Sequence, residues 1–151
     1  MLCETAAYYR EKGMDLVDAL GEIYKEYGYY KEGIANFVMK GLDGAEKIKR
    51  VMNFFRTTDI ALKGFEILAK DDILLGNKYD LKSDKVEKIN LPKSNVIKYY
   101  LTDNMWFVLR PSGTEPKLKV YYGVKGKTQK DADEKLEKLS AEVLSIVNMI
   151  K

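Results

Sequence analysis

The chain of 151 residues predicts an α+β domain: an antiparallel sheet of four to five strands with two helices on one face, preceded by a short helical segment. Three observations lead there. Residues 118–124 alternate cleanly, with Leu118, Val120, Tyr122 and Val124 set against Lys119, Tyr121 and Gly123, the pattern of an antiparallel strand with one solvated face. The last helical stretch carries Ala132, Leu136, Leu139, Val143, Ile146, Val147 and Ile150 along a single stripe, the strongest periodicity in the chain, and a stripe of that length belongs against a sheet. From Gly33 onward the patterns come in the order strand, helix, three or four strands, helix.

Residues 2–12 read as a helix with Leu2, Ala6 and Tyr9 on its apolar side and Gly13 as its stop. Cys3 falls on that apolar side and is expected to pack rather than react. A second helix runs from Leu16 to Tyr27, with Asp15 as N-cap, a stripe of Leu16, Leu20, Ile23, Tyr24 and Tyr27, and Gly28 at its end. Two helices separated by Gly13-Met14-Asp15 cannot enclose a core by themselves. Residues 28–33 are expected to be a linker, giving a division into 1–30, a helical tail, and 31–151, the main domain.

A strand is expected over Ile34 to Lys40, with Ala35, Phe37 and Met39 on one side and Ile34, Asn36 and Val38 on the other. Asp43 and Glu46 have capping-box spacing, and the helix they open presents Ile48, Val51, Met52 and Phe55. Phe65 to Ala69 is a strand, and Leu75 to Pro92 is polar enough to be an irregular loop. Val96–Leu101 and Met105–Leu109 are strands joined by Thr102-Asp103-Asn104. Thr128 to Asp131 is a second cap, opening the final helix.

Composition narrows the chemistry. No apolar run reaches the eighteen or so residues of a membrane span, so no membrane partner is expected. A single cysteine rules out an internal disulfide and fits a cytoplasmic location. With no histidine, His-based acid–base catalysis and His-containing metal sites are excluded. Lys plus Arg number 26 against 23 Asp plus Glu, too even a balance to imply nucleic acid. Between Asn104 and Lys130, however, there are six basic residues (Arg110, Lys117, Lys119, Lys125, Lys127, Lys130) and one acid, Glu115. Such a zone attracts phosphorylated ligands; a solvated strand face accounts for Lys119 and Lys125 equally well.

Within that zone, Arg110-Pro111-Ser112-Gly113-Thr114-Glu115-Pro116-Lys117 concentrates what a phosphate needs. Arg110 offers a planar fork of donors and Lys117 a point charge. Ser112 and Thr114 add hydroxyls, Gly113 lets the backbone curl so that N–H groups point inward, and the two prolines stiffen the ends. The plain alternative is a tight β-turn.

The whole string, followed by an alternating strand, resembles the C-terminal phosphate-binding loop of the α-D-phosphohexomutases, the family of phosphoglucomutase and phosphomannomutase. The likeness implies the TATA-binding-protein-like fold of that family's fourth domain. It assigns substrate phosphate to Arg110, Ser112, Gly113, Thr114 and Lys117, while Glu115 would cap the loop. The segments at 3–13 and 18–30 resemble the last helices of the family's third domain, with phosphoglucomutases the better match. The implied ligand is a hexose phosphate, glucose or mannose 1- or 6-phosphate, and the implied partners are the other domains of a parent enzyme.

That family moves a phosphoryl group between O1 and O6 of a hexose, using a phosphoserine loop, an Asp-rich Mg²⁺ loop and a sugar-binding loop. None of the three is present in this sequence. Asp71-Asp72 and Asp80/Asp84 are the nearest carboxylate pairs; both fall in polar turn sequence without supporting ligands. The fragment alone is therefore expected to be inactive, with no cofactor of its own and Mg²⁺ belonging to the parent enzyme. Two other readings stand beside this one. The chain could be a stand-alone regulatory module that binds sugar phosphates. It could also bind nucleic acid through Tyr99, Tyr100, Trp106, Tyr121 and Tyr122, though no RNA-recognition signature accompanies them.

Overall fold

The computed structural model describes residues 1–38 and 43–150. Two helices, α1 (Leu2–Glu11) and α2 (Leu16–Tyr27), lead into β1 (Tyr29–Val38) and α3 (Asp43–Thr57). There follow β2 (Ile67–Asp72), β3 (Asn77–Asp80), β4 (Val86–Lys88), β5 (Ile97–Leu101), β6 (Trp106–Pro111), β7 (Lys117–Gly126) and α4 (Gln129–Met149). The strands form one sheet in the order β1-β7-β6-β5-β2-β3-β4, every neighbouring pair antiparallel. The α+β class is as expected, but the sheet has seven strands rather than four or five.

The additional strands come from the stretch expected to be loop. β3 and β4 are short and polar, with no apolar side to announce them. They are folded back by Asp80, whose carboxylate accepts the N–H groups of Lys82 and Ser83, each at 2.9 Å. The linker expectation at 28–33 also fails. Gly28, at φ 98°, turns the chain out of α2, and β1 begins at the next residue, pairing with β7 from Tyr29↔Gly126 to Val38↔Lys117. Gly33 is a packing glycine, since a Cβ there would stand 3.0 Å from Leu136 of α4.

The strand expected at 65–69 lies further on, at 67–72. Met39 and Lys40 fall outside the described residues. At α3 the helix already includes Asp43 and the residue before it falls outside the described residues, while Glu46 pairs with Lys49 at 2.6 Å. The other two caps form: Asp15 accepts from Val17 and Asp18, and Thr128 Oγ1 from Asp131.

Period-2 alternation sorts the sheet into two faces. Leu118, Val120, Tyr122 and Val124 of β7, Phe107 and Leu109 of β6, and Ile97, Tyr99 and Leu101 of β5 turn towards α3 and α4, and all are 2% exposed or less. Val51, Met52 and Phe55 of α3 meet Leu139, Val143 and Val147 of α4 in this core. Tyr99 stacks on Phe107 at 4.7 Å, and its hydroxyl donates to the Phe55 carbonyl at 2.5 Å, so the ring is buried without orphaning its polar end.

The opposite face has no helix over it. Trp106 lies across Gly123, where a Cβ would come within 2.4 Å of the indole. The Lys98 ammonium stands 4.6 Å from the Tyr100 ring centre and 5.2 Å from that of Trp106. Of the five aromatics that suggested nucleic acid, two are thus core residues and two already carry a lysine on the ring. α1 has no buried residue, and Cys3 is exposed rather than packed, because the helix touches little besides α2.

Two stability predictions follow from this packing. Gly126 ends β7 where α4 begins, and a Cβ there would stand 2.4 Å from the Ala132 nitrogen and 2.8 Å from the Thr128 carbonyl oxygen. Both are backbone atoms, so relief requires moving the helix start, and Gly126→Ala should cost about 1–3 kcal/mol in urea unfolding. The second concerns alkali. Burial pushes Tyr122 up to about 12, Tyr100 up to about 12 with help from Asp71, and Tyr99 higher still. Groups raised in the folded state bind more protons there, so their contribution is complete below about pH 10 and lost as pH rises through about 12. Lys70, lowered by burial, acts with the opposite sign. Three tyrosines outweigh one lysine, and the urea midpoint should fall between about pH 10 and 12; a flat profile over that range would refute the assignment.

Candidate anion site at the hairpin between β6 and β7

Residues 112–116 close the hairpin between β6 and β7. The Ser112 N–H donates to the Lys117 carbonyl at 2.7 Å, and the Lys117 N–H to the Glu115 carbonyl at 2.7 Å. Glu115 therefore closes the loop through its backbone. Those two N–H groups are spent internally. Among the described residues, the N–H groups of Gly113, Thr114 and Glu115 have no backbone acceptor, leaving a run of three loop donors. Gly113 does not take a positive φ, and a Cβ on it would meet nothing within 4 Å. The expectation that glycine is needed to curl the backbone is not met; what it provides is open space for a close approach.

The strand register decides where the cations go. Arg110 is exposed and pairs directly with Lys119 across the two strands, on the face without helices. Lys117 lies two residues from Lys119 and shares that face. Among the described residues none of Arg110, Lys117 and Lys119 has an ion-pair partner. Like charges set directly opposite in a sheet repel, which makes this corner a place where an anion is favoured. Lys119 is the residue that sequence reasoning passed over as a solvated strand lysine. Only its register against Arg110 singles it out.

On its other side the loop borders a groove of about 510 Å³, where Ser112, Gly113 and Thr114 face Ile48 and Lys49 of α3 and Asn95. Arg110 and Lys117 do not line it. The five expected residues are thus divided between a charged strand face and a hydroxyl-bearing loop at its end.

Asn95 is held in place from beneath. Its Oδ1 accepts from Arg56 Nη2 at 2.9 Å, and Arg56 Nε donates to Asp72 Oδ2 at 2.7 Å. Asp72 is fully buried, and its second oxygen accepts from Leu74 and Leu75 N–H at 3.1 and 3.2 Å. Lys70 donates to the Arg56 carbonyl at 3.0 Å, and Tyr100 to Asp71 at 2.7 Å. Asp71 and Asp72 therefore sit in a strand, not in the polar turn expected of them, and each is engaged by a side chain. Among the described residues no three acidic or cysteine side chains gather as a metal would require, and no helix is long and apolar enough to cross a membrane.

Residues 36–144 match the family described as phosphoglucomutase/phosphomannomutase, C-terminal domain. A phosphoglucomutase of Staphylococcus epidermidis is 37% identical over 122 residues, covering 80% of this chain and 22% of that protein. Two phosphoglucomutases of Staphylococcus aureus strains are 38% identical over 125 residues and 36% over 134, covering 82% and 88% of the chain but 22% and 24% of those proteins. The chain thus spans about a quarter or less of the length of these relatives. The match takes in the last residues of β1, then α3, β2 to β7 with the hairpin loop and most of α4, and on it the chain belongs to the phosphoglucomutase/phosphomannomutase family as a C-terminal domain of that family.

Proposed function

We propose that this chain is the substrate-phosphate clamp of a longer phosphohexomutase that interconverts hexose 1-phosphate and hexose 6-phosphate. The observation that carries the reading is the set of three cations that have no ion-pair partner among the described residues, Arg110, Lys117 and Lys119, on strands joined by a loop bearing Ser112 and Thr114. Arg110 supplies two parallel donors to the phosphate and Lys117 and Lys119 neutralise it, while Ser112, Gly113 and Thr114 turn from the groove against α3 to close on it from the end of the hairpin. The phosphate held here is the one not being transferred. Fixing it presents the far hydroxyl of the sugar to a phosphoryl donor carried elsewhere in the longer protein, a contribution of positioning rather than of bond making. Mg²⁺ and the phosphoserine belong to that remainder, and the fragment alone does not turn over substrate.

Residues 1–30 act in this reading as the helical tail of the preceding domain, and 31–151 as the clamp. Leu16, Leu20, Ile23 and Tyr27 leave an apolar stripe of α2 exposed, with Ile23 46% and Tyr27 58% accessible, which favours a missing neighbour over a finished regulatory module. The test is an amide NMR titration of the chain with inorganic phosphate, glucose 6-phosphate, mannose 6-phosphate and unphosphorylated glucose. Shifts at 110–119 shared by the phosphates and missing with glucose are expected. Equal shifts with plain glucose, or none with any phosphate at millimolar concentration, would refute clamping by this chain.

A further inference from the structure

Tyr121 belongs to neither the core nor the cation set, yet it occupies the next position inward from both. On the face without helices the rungs between β6 and β7 run Arg110↔Lys119 and then Val108↔Tyr121, while on its other side Tyr121 pairs with Ile34 of β1. Successive rungs on one face lie about 7 Å apart, two residues of strand rise. A phosphate bound by Arg110 and Lys119 therefore leaves room for the body of a six-carbon sugar above Val108 and Tyr121. These two and Ile34 form an apolar floor: Ile34 is 53% exposed, and Val108 and Tyr121 are half-buried. The neighbouring aromatics are already engaged, Trp106 by Gly123 and Lys98, Tyr100 by Lys98 and Asp71. Among the described residues, no such contact involves Tyr121.

We infer that Tyr121 is the ledge on which the sugar ring of the phosphorylated ligand rests, which makes it a specificity residue of the clamp. The inference depends on the phosphate reading above. The negative face of an aromatic ring favours the outward C–H groups of a pyranose, and such a contact discriminates by ring shape without using a hydrogen bond. It also explains why a strand otherwise lined with lysines carries an aromatic one step from the phosphate corner.

The experiment compares wild type, Tyr121→Phe and Tyr121→Leu by NMR titration with inorganic phosphate and with glucose 6-phosphate. Leucine keeps the apolar packing of the strand and removes only the aromatic face. Tyr121→Leu should weaken glucose 6-phosphate about 3- to 10-fold and change inorganic phosphate less than about twofold, whereas Tyr121→Phe should retain both affinities. In wild type, but not in Tyr121→Leu, the ring protons of bound glucose 6-phosphate should move upfield under the aromatic ring current. Equal weakening of both ligands would overturn the inference, since Tyr121 would then only support the strand. Unchanged affinity for glucose 6-phosphate, with wild-type phosphate binding intact, would overturn it while leaving the clamp standing. Wild type binding neither ligand would overturn both.

Discussion

Arg110→Ala in the longer phosphohexomutase proposed above should lower kcat/KM by about 10- to 150-fold, the equivalent of losing charge-assisted hydrogen bonds worth roughly 1.5–3 kcal/mol. The side chain is exposed and, among the described residues, has no ion-pair partner, so the folded domain does not depend on it and the melting temperature should stay in place. On the proposed clamp KM should rise, because a guanidinium that anchors the phosphate acts in ground state and transition state alike. A fall in kcat is expected as well, to the extent that the anchor aligns the far hydroxyl. Arg110→Lys keeps the charge and loses the fork, and should recover only part of the activity. Steady-state kinetics on the three proteins decide the matter. A change in kcat/KM below about twofold for Arg110→Ala would remove Arg110 from the site.

The largest effect on stability should come from Asp72→Ala. Its carboxylate is fully buried between Arg56 and the N–H groups of Leu74 and Leu75, so truncation leaves a largely buried guanidinium without its counter-charge and two donors without an acceptor. Breaking such a pair costs about 3–5 kcal/mol. Asp72→Asn keeps an acceptor for the two backbone donors and should fall between wild type and alanine. Pairing Asp72→Ala with Arg56→Met should return much of the loss, because the penalty arises from the orphaned charge rather than from the lost attraction. Urea unfolding measures all four. Asp72→Ala within 1 kcal/mol of wild type would show that Arg56 finds other compensation. The same variant frees Arg56 from below Asn95, so exchange-broadened Asn95 side-chain signals should accompany the loss of stability.

Much of the domain could be read from residue order because its core elements carry strong periods. β7 and α4 announce themselves through Leu118 to Val124 and Ala132 to Ile150, and the loop between β6 and β7 through its unbroken run of phosphate-type residues. The misses share one physical cause. β4 and the first half of β1 are edge structure and β3 lies next to an edge, and Asn77, Lys78, Glu87, Lys88, Lys31 and Glu32 satisfy their strand pairing there without any apolar alternation. Periodicity reports burial, and an edge strand buries little. At the site, the charged residues were legible by type, whereas the placement of Lys119 opposite Arg110 is a matter of register, which a single strand does not encode. Asp72 escaped for a related reason: a carboxylate beside Asp71 looks solvated until Arg56, sixteen positions away, closes over it.

The two ends of the sheet are unlike each other. At one end β4 offers three exposed residues, Val86, Glu87 and Lys88, too short and too charged to template another chain. At the other, β1 is ten residues long, with Ile34 53% and Val38 60% exposed on the face without helices, and Lys31, Glu32, Gly33 and Asn36 interrupt its apolar character. Any strand added to this molecule therefore arrives beside β1. In concentrated solution the isolated chain should associate there, edge to edge, and a proline or lysine placed at Ile34 should keep it monomeric.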